Sequence, residues 1–293
     1  MKMTTKSLRP SIVLAGMLAI TKSAYAIDIY PGDYTILPPG TTLALAYAGY
    51  TPSNTFHLDG VGNIPGSSID QTVGIARVLY YNQLFGMPVA YQAYLPFGKL
   101  TDAKVGGAPL QTNNGLGDLT LGFTAFLVNR PDPNYGTTVG LTSYVSLPTG
   151  RYNVGAANLG AGAVTFTPQL GLIQGLGHSL FFDGSLDVAV QTGHNNAGQH
   201  ISVHPSIELQ TYLRYQLSAA SSVSFGYAGY FGGKQYINDV YNDQETSSSQ
   251  IRLFASHMLT PTWQLSGMLG KAVATEGGFK NEYSVQLRLM KIF

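Results

Sequence analysis

Asn281-Glu282-Tyr283-Ser284-Val285-Gln286-Leu287-Arg288-Leu289-Met290-Lys291-Ile292-Phe293 is the stretch whose reading decides the fold. In an extended strand, Tyr283, Val285, Leu287 and Leu289 share one face, and Ser284, Gln286, Arg288 and Met290 share the other. At the edge of a sheet in water, such an apolar strand invites aggregation. As the closing stave of a barrel, paired with the first strand, it turns its apolar face to lipid. Lys291 departs from the alternation, standing where a further apolar residue would extend that face.

Upstream, the same period recurs. Leu43, Leu45 and Tyr47 point one way, with Thr42, Ala44 and Ala46 the other. Further alternating segments follow at 70–85, 89–95, 119–127, 139–147, 164–172, 180–190, 201–215, 223–231, 251–255 and 263–269, before the final strand. Ile201 to Tyr215 reads as the most regular strand of the set. The count is twelve, an even number, with long Gly-, Asn- and Ser-containing loops alternating with short turns. That asymmetry belongs to membrane barrels, with short periplasmic turns and longer outer loops. The expected fold is all-β: a transmembrane, antiparallel, up-and-down β-barrel of about 12 strands.

Composition agrees. Charged residues make up 11% of the chain, against roughly 25% in an ordinary soluble domain. After the N-terminus no window resembles a helical membrane span, which needs roughly 20 apolar residues. Lys2, Lys6 and Arg9 precede the short apolar run Ser11–Ile20, and Ala24-Tyr25-Ala26 offers a cleavage site. Residues 1–26 therefore read as a signal peptide cut after Ala26, leaving residues 27–293 as a single outer-membrane domain. Residues 27–40, broken by Pro31-Gly32 and Pro38-Pro39-Gly40, read as an irregular lead-in, a candidate periplasmic plug for the lumen. The chain has no cysteine, so neither disulfides nor a lipidated N-terminal thiol contribute. A net charge of +1 gives no reason to expect a nucleic-acid partner.

In a barrel, lipid takes the apolar face and the lumen takes small and polar residues. Strand parity then lines the lumen with Asp118, Asp183, Asp187, His204, Glu208, Arg214, Arg252 and Arg288. These either pair to fill a narrow interior or form a selectivity lining. Tyr94, Phe126, Tyr144, Phe181, Tyr212, Tyr230 and Phe254 point inward as well. They either fill the barrel or offer stacking surfaces to a hydrophobic solute. Arg77 is awkward: placing it inside draws Val73, Ile75 and Leu79 in too, so the second strand has either a bulge or an apolar inner face.

No catalytic, cofactor or metal site emerges. Among the six histidines, His194, His200 and His204 lie near one another without carboxylates or cysteines at ligand spacing. A barrel phospholipase would need a Ser–His pair on the outer face. His178-Ser179 and Ser256-His257 are sequence neighbours whose side chains point to opposite faces. The Gly106-Gly107 and Gly232-Gly233 loops lack the Lys-Ser/Thr of a phosphate cradle.

The C-terminal stretch resembles the recognition strand of bacterial outer-membrane barrels, which ends in Phe on an alternating pattern and is read by the barrel-assembly machinery. Two other stretches are more particular. One is Asp33-Tyr34-Thr35-Ile36-Leu37-Pro38-Pro39-Gly40-Thr41. The other is Ser146-Leu147-Pro148-Thr149-Gly150-Arg151-Tyr152, followed by Asn158-Leu159-Gly160 and Thr165-Phe166-Thr167-Pro168-Gln169-Leu170-Gly171. Together they resemble the outer-membrane family named for a meta-cleavage pathway of phenol degradation. That resemblance implies a barrel and uptake of small aromatic or hydrophobic molecules, and carries over no catalytic residues. The expectation is thus a passive, non-enzymatic channel in the Gram-negative outer membrane, its partners being lipid, the solute and the assembly machinery that reads Phe293. A non-transporting structural or adhesive barrel is the alternative, and an outer-membrane lipid hydrolase comes third.

Overall fold

The computed structural model describes residues 27–245 and 247–293. The expected signal peptide, residues 1–26, lies outside the described residues. The barrel wall is made of β1 Thr42–Ser53, β2 Ser68–Leu84, β3 Met87–Val105, β4 Leu119–Arg130, β5 Thr137–Leu147, β6 Thr165–Gly177, β7 Leu180–Gln191, β8 Ser206–Gln216, β9 Ser221–Gly232, β10 Ser247–Thr260, β11 Trp263–Glu276 and β12 Ser284–Ile292. Each pairs antiparallel with its neighbours in sequence, and β12 closes on β1 from Leu43↔Ile292 to Tyr50↔Val285. Closure removes every free edge of the wall, so the aggregation hazard of an apolar terminal strand does not arise. All twelve expected strands are present.

The outer face is a belt of exposed apolar side chains, including Leu121, Leu141, Leu170, Leu209, Leu253, Leu269 and Leu287. Each would forgo about 1.5–3 kcal/mol of burial in water, and a belt this continuous exceeds the patches a soluble surface tolerates. Lipid is its solvent. Aromatics mark both margins: Tyr50 meets Tyr283 toward the long loops, and Tyr91 meets Phe123 nearer the short turns. Lys291, the residue out of pattern in β12, bends to that lower margin. Its ammonium bonds the Thr262 hydroxyl at 2.8 Å and lies over the Trp263 and Phe293 rings, an amphipathic side chain reaching for the interface.

Two expectations need correction. Ile201–Tyr215 is not one strand. Pro205 breaks it, and Gln199–Val203 belongs to a small outer sheet with His194–Asn196, Gln235–Ile237 and Val240–Tyr241. The rule that bulky apolar residues face lipid also fails at β1. Leu43, Leu45 and Tyr47 are buried inside, and Ala44, Ala46 and Ala48 face out. Beside it, Arg77 points inward in β2 with Ile75 and Leu79, and the β1–β2 register runs unbroken from Thr42↔Tyr80 to Ser53↔Ile69. The apolar-inner-face alternative holds around Arg77; the one register shift of β2 lies at its far end, between Ser68 and Asp70 where it pairs with β3.

The long connections fold into a cap. Thr55–Leu58 pairs with Gly62–Ile64 and Gly278–Lys280, and Phe56, Leu58, Ile69, Leu100, Leu159 and Phe279 form an apolar core beneath them.

Candidate functional site

The site is the lumen, together with the N-terminal segment inside it. That segment leaves β1 at the short-turn end, where the Gly40 N–H donates to the Tyr81 carbonyl at 2.8 Å and Tyr81 N–H to the Thr41 carbonyl at 2.9 Å. Pro38 and Pro39 keep it out of the wall ladder. Ile36 and Leu37 then pack on the cluster containing Leu43, Leu45 and Leu79. This is why β1 and β2 turn apolar faces inward.

Further in, a tight turn aims Asp33 across the lumen, with its N–H donating to the Tyr30 carbonyl at 3.0 Å. One carboxylate oxygen takes Arg77 at 2.9 Å, and the other takes Arg288 at 2.6 Å. Arg77 lies over the Tyr94 ring and Arg288 over the Tyr30 ring. Removing Asp33 would leave two buried guanidiniums without their shared counter-charge.

Tyr34 occupies a slot made by the register pair Gly140↔Gly171 on β5 and β6. A Cβ at Gly171 would lie 1.9 Å from the Tyr34 ring, and one at Gly140 would lie 2.7 Å away. Only residues without a side chain let the ring approach. The Tyr34 hydroxyl donates to Gln169 Oε1 at 2.9 Å and lies 3.1 Å from the Thr142 hydroxyl. Gly32 N–H donates to Asp183, which also pairs with Arg214 at 2.8 Å. Asp28 pairs with Arg252 at 2.6 Å.

The segment lies between two cavities. The one toward the long loops has a volume of about 250 Å³ and is lined by Tyr30, Tyr47, Tyr94, Tyr230, Val73, Ile75 and Leu159, with Glu208, Gln250 and Arg252 at its floor. The one toward the short turns, of about 280 Å³, is lined by Leu37, Leu43, Leu79, Arg214, Arg288 and Met290.

The lumen brings most of the expected residues together. Asp183, Asp187, Glu208, Arg214, Arg252 and Arg288 all point inside. His204 does not. It is exposed just beyond the outer-sheet strand Gln199–Val203 with its ring 4.6 Å from that of Tyr236, because the strand breaks before Pro205. Asp118 sits at the mouth, where its two oxygens accept from Gly150 N–H at 2.8 Å and Ala161 N–H at 2.6 Å. Burial raises its carboxyl above the usual range despite those donors. The Thr149 hydroxyl accepts from Leu119 N–H at 2.8 Å. Pro148-Thr149-Gly150 and Asn158-Leu159-Gly160 thus converge on Asp118, folding a loop over the barrel.

Of the seven inward aromatics, Tyr94 and Tyr230 line the upper cavity. Tyr212 and Phe254 stack edge-on at 5.0 Å, and Phe254 does the same with Tyr30. Phe126 and Tyr144 are buried beside Tyr34, and Phe181 lies under Arg214. The residues missed from sequence are Asp33 and Tyr34 as anchors. The lone inward arginines and the paired inward glycines were the available signal.

His178 and Ser179 form the two-residue turn between β6 and β7, both left-handed. One Ser–His pair does meet across strands on the outer face: the Ser221 hydroxyl lies 2.8 Å from His257 Nδ1. Among the described residues no carboxylate or amide side chain bonds the other ring nitrogen, so the group that would orient a catalytic base is missing.

A closed wall with a lipid-facing belt and a polar, partly filled interior defines an outer-membrane β-barrel of the Gram-negative type. Residues 41–289 match the family model described as "Putative MetA-pathway of phenol degradation", and the chain belongs to that family. Among solved structures, an outer membrane channel from Pseudomonas putida F1 superposes with TM-score 0.82 at 24% identity, over 91% of this chain and 100% of that one. The KdgM porin (TM-score 0.45, 7% identity, 85% and 99% covered) overlaps only loosely. So does the toluene transporter TodX of Pseudomonas putida (TM-score 0.43, 8% identity, 96% of each). Neither bears on the ligand. No curated protein matches the sequence.

Proposed function

We propose that the protein is a passive outer-membrane channel for small hydrophobic or aromatic molecules, with the upper cavity as its receiving site. The carrying observation is that cavity's lining, where Tyr30, Tyr47, Tyr94 and Tyr230 stand beside Val73, Ile75 and Leu159. Its volume of about 250 Å³ exceeds the ~150 Å³ apolar cavity known to admit benzene. Tyrosine rings offer stacking faces and hydroxyls that suit a phenol-like solute. Passage beyond the cavity requires the N-terminal segment to shift, since it lies between the two chambers. Membership of a phenol-degradation family and the likeness to a Pseudomonas putida channel support this reading. The outer apolar belt fits lipid as a partner.

Reconstitution into liposomes tests it, comparing permeation of phenol-like aromatics with sugars of similar size. Aromatic flux that falls in Tyr94→Ala and Tyr230→Ala supports the channel. A folded barrel that passes no solute favours the structural or adhesive alternative, for which the filled lumen speaks. We infer no enzymatic role. Phospholipid hydrolysis lost in Ser221→Ala would reverse that inference.

A further inference from the structure

Cleavage after Ala26 would make Ile27 the first residue of the mature chain. The structure places Ile27 at the floor of the upper cavity, where its carbonyl accepts from Gln169 Nε2 at 3.0 Å and Gln210 Nε2 at 3.3 Å. The same Gln169 amide donates to Asp187 Oδ2 at 2.9 Å. Asp187 and Glu208 face each other as register partners on β7 and β8, and both are buried. Glu208 is buried, and its Oε2 has no partner. Asp28 adds a third carboxylate to the same cavity lining. Among the described residues the cation beside them is Arg252, and it is paired with Asp28.

Three carboxylates therefore meet one guanidinium. Elsewhere in the lumen Asp183 is matched by Arg214, and Asp33 by Arg77 and Arg288. Among the described residues below the mouth, where Asp118 is held by backbone N–H groups, five acids face four arginines, one positive charge short. A buried, unpaired carboxylate is costly, and this one stands beside Ile27, the residue that follows the expected cleavage site.

We propose that the mature chain begins at Ile27 and that Asp187 and Glu208 form a docking site for its α-ammonium. A peptide nitrogen at this place offers one donor and no charge. An α-ammonium offers three donors and the missing positive charge. Gln169 and Gln210, by holding the Ile27 carbonyl, fix the terminus beside the acids. Removal of the signal peptide then does more than release the protein: it creates the group that locks the segment into the lumen.

Two measurements test this on the full mature barrel. Intact mass and N-terminal sequencing of protein exported with its own leader should show a chain starting at Ile27; a start elsewhere overturns the proposal. Next, protein freed at Ile27 by a traceless protease is refolded either unmodified or with its α-amine converted to a ketone by N-terminal transamination. The modified barrel should unfold roughly 100-fold faster in detergent, as loss of one partner of a buried ion pair implies. In the Asp187→Asn/Glu208→Gln double variant the same conversion should change nothing. An equal effect in the double variant overturns the pairing. So does no effect in the wild type, which would mean that the two carboxyls share a proton instead.

Discussion

Two sectors of the wall are dressed in opposite ways. Along β7 and β8 the inner face carries Asp183, Asp187, Glu208, Gln210 and Arg214, and the outer face carries Leu186, Ile207, Leu209 and Leu213. Along β1 and β2 the inner face carries Leu43, Leu45, Tyr47, Ile75 and Leu79, and alanines face lipid from β1. Lipid accepts either dressing, since a methyl group is as welcome there as an isobutyl. What differs is the lumen's occupant. The N-terminal segment lays Ile36 and Leu37 against β1 and β2, but offers backbone N–H groups and carbonyls to Gln169, Asp183 and Gln210 on the far side. The inner face of each strand is matched to the portion of the segment it meets.

Substitutions can break this match, and the largest effect should come from Asp33→Ala. Stranding Arg77 and Arg288 should cost about 3–5 kcal/mol, read from urea unfolding in detergent. Comparable losses from Lys substitutions at exposed loop sites would deny Asp33 any special role. Second, Leu45→Ala should cost about 2–5 kcal/mol as a core truncation. Leu209→Ala, facing lipid, should cost roughly 1 kcal/mol or less. Equal costs would erase the distinction between the sectors. Third, Gly171→Ala forces a methyl into the Tyr34 ring, an overpacking worth about 1–3 kcal/mol. It should raise single-channel conductance in planar bilayers by loosening the segment, and unchanged conductance would show that the ring does not hold it.

The smallest effect concerns the cap. The His194 ring packs edge-on against Tyr152 at 4.9 Å with neither nitrogen bonded. Burial first, and then nearby His200, lower its pKa. The folded value lies below the unfolded one, so this packing contributes fully above about pH 6.5. Its contribution is lost as pH falls toward the lowered folded value. Limited proteolysis of the 150–163 loop should quicken between neutral pH and pH 5 (about one and a half units below the free-histidine value). His194→Phe should remove that dependence.

The difference between sectors also explains what was legible beforehand. Alternation was enough to find β12 and the other eleven staves, because one side of each meets hydrocarbon or water throughout. It could not orient β1, where both candidate faces are apolar and the deciding contact comes from a segment with no period. Nor could it see that Phe56, Ile64, Leu159 and Phe279, scattered among turn-forming residues, share a core above the membrane. His204 was misplaced for a local reason, since a proline at 205 ends the ladder that parity assumes. Arg77 stands out against the alternation, but its partner Asp33 lies 44 residues away in an irregular stretch.

Asp33 also carries information about the order of assembly. Its bond to Arg77 spans 44 residues, and its bond to Arg288 spans 255. The first is available to a nascent chain that has made only two strands. The second waits for the last strand to arrive, at the greater entropic cost of a loop nearly as long as the protein. β12 brings Arg288 and the final seam together, so the carboxylate cannot be shared until the ring is shut. The doubly held carboxylate therefore ties the filled lumen to the closed cylinder, since neither of its bonds is complete without the wall strand that carries the arginine.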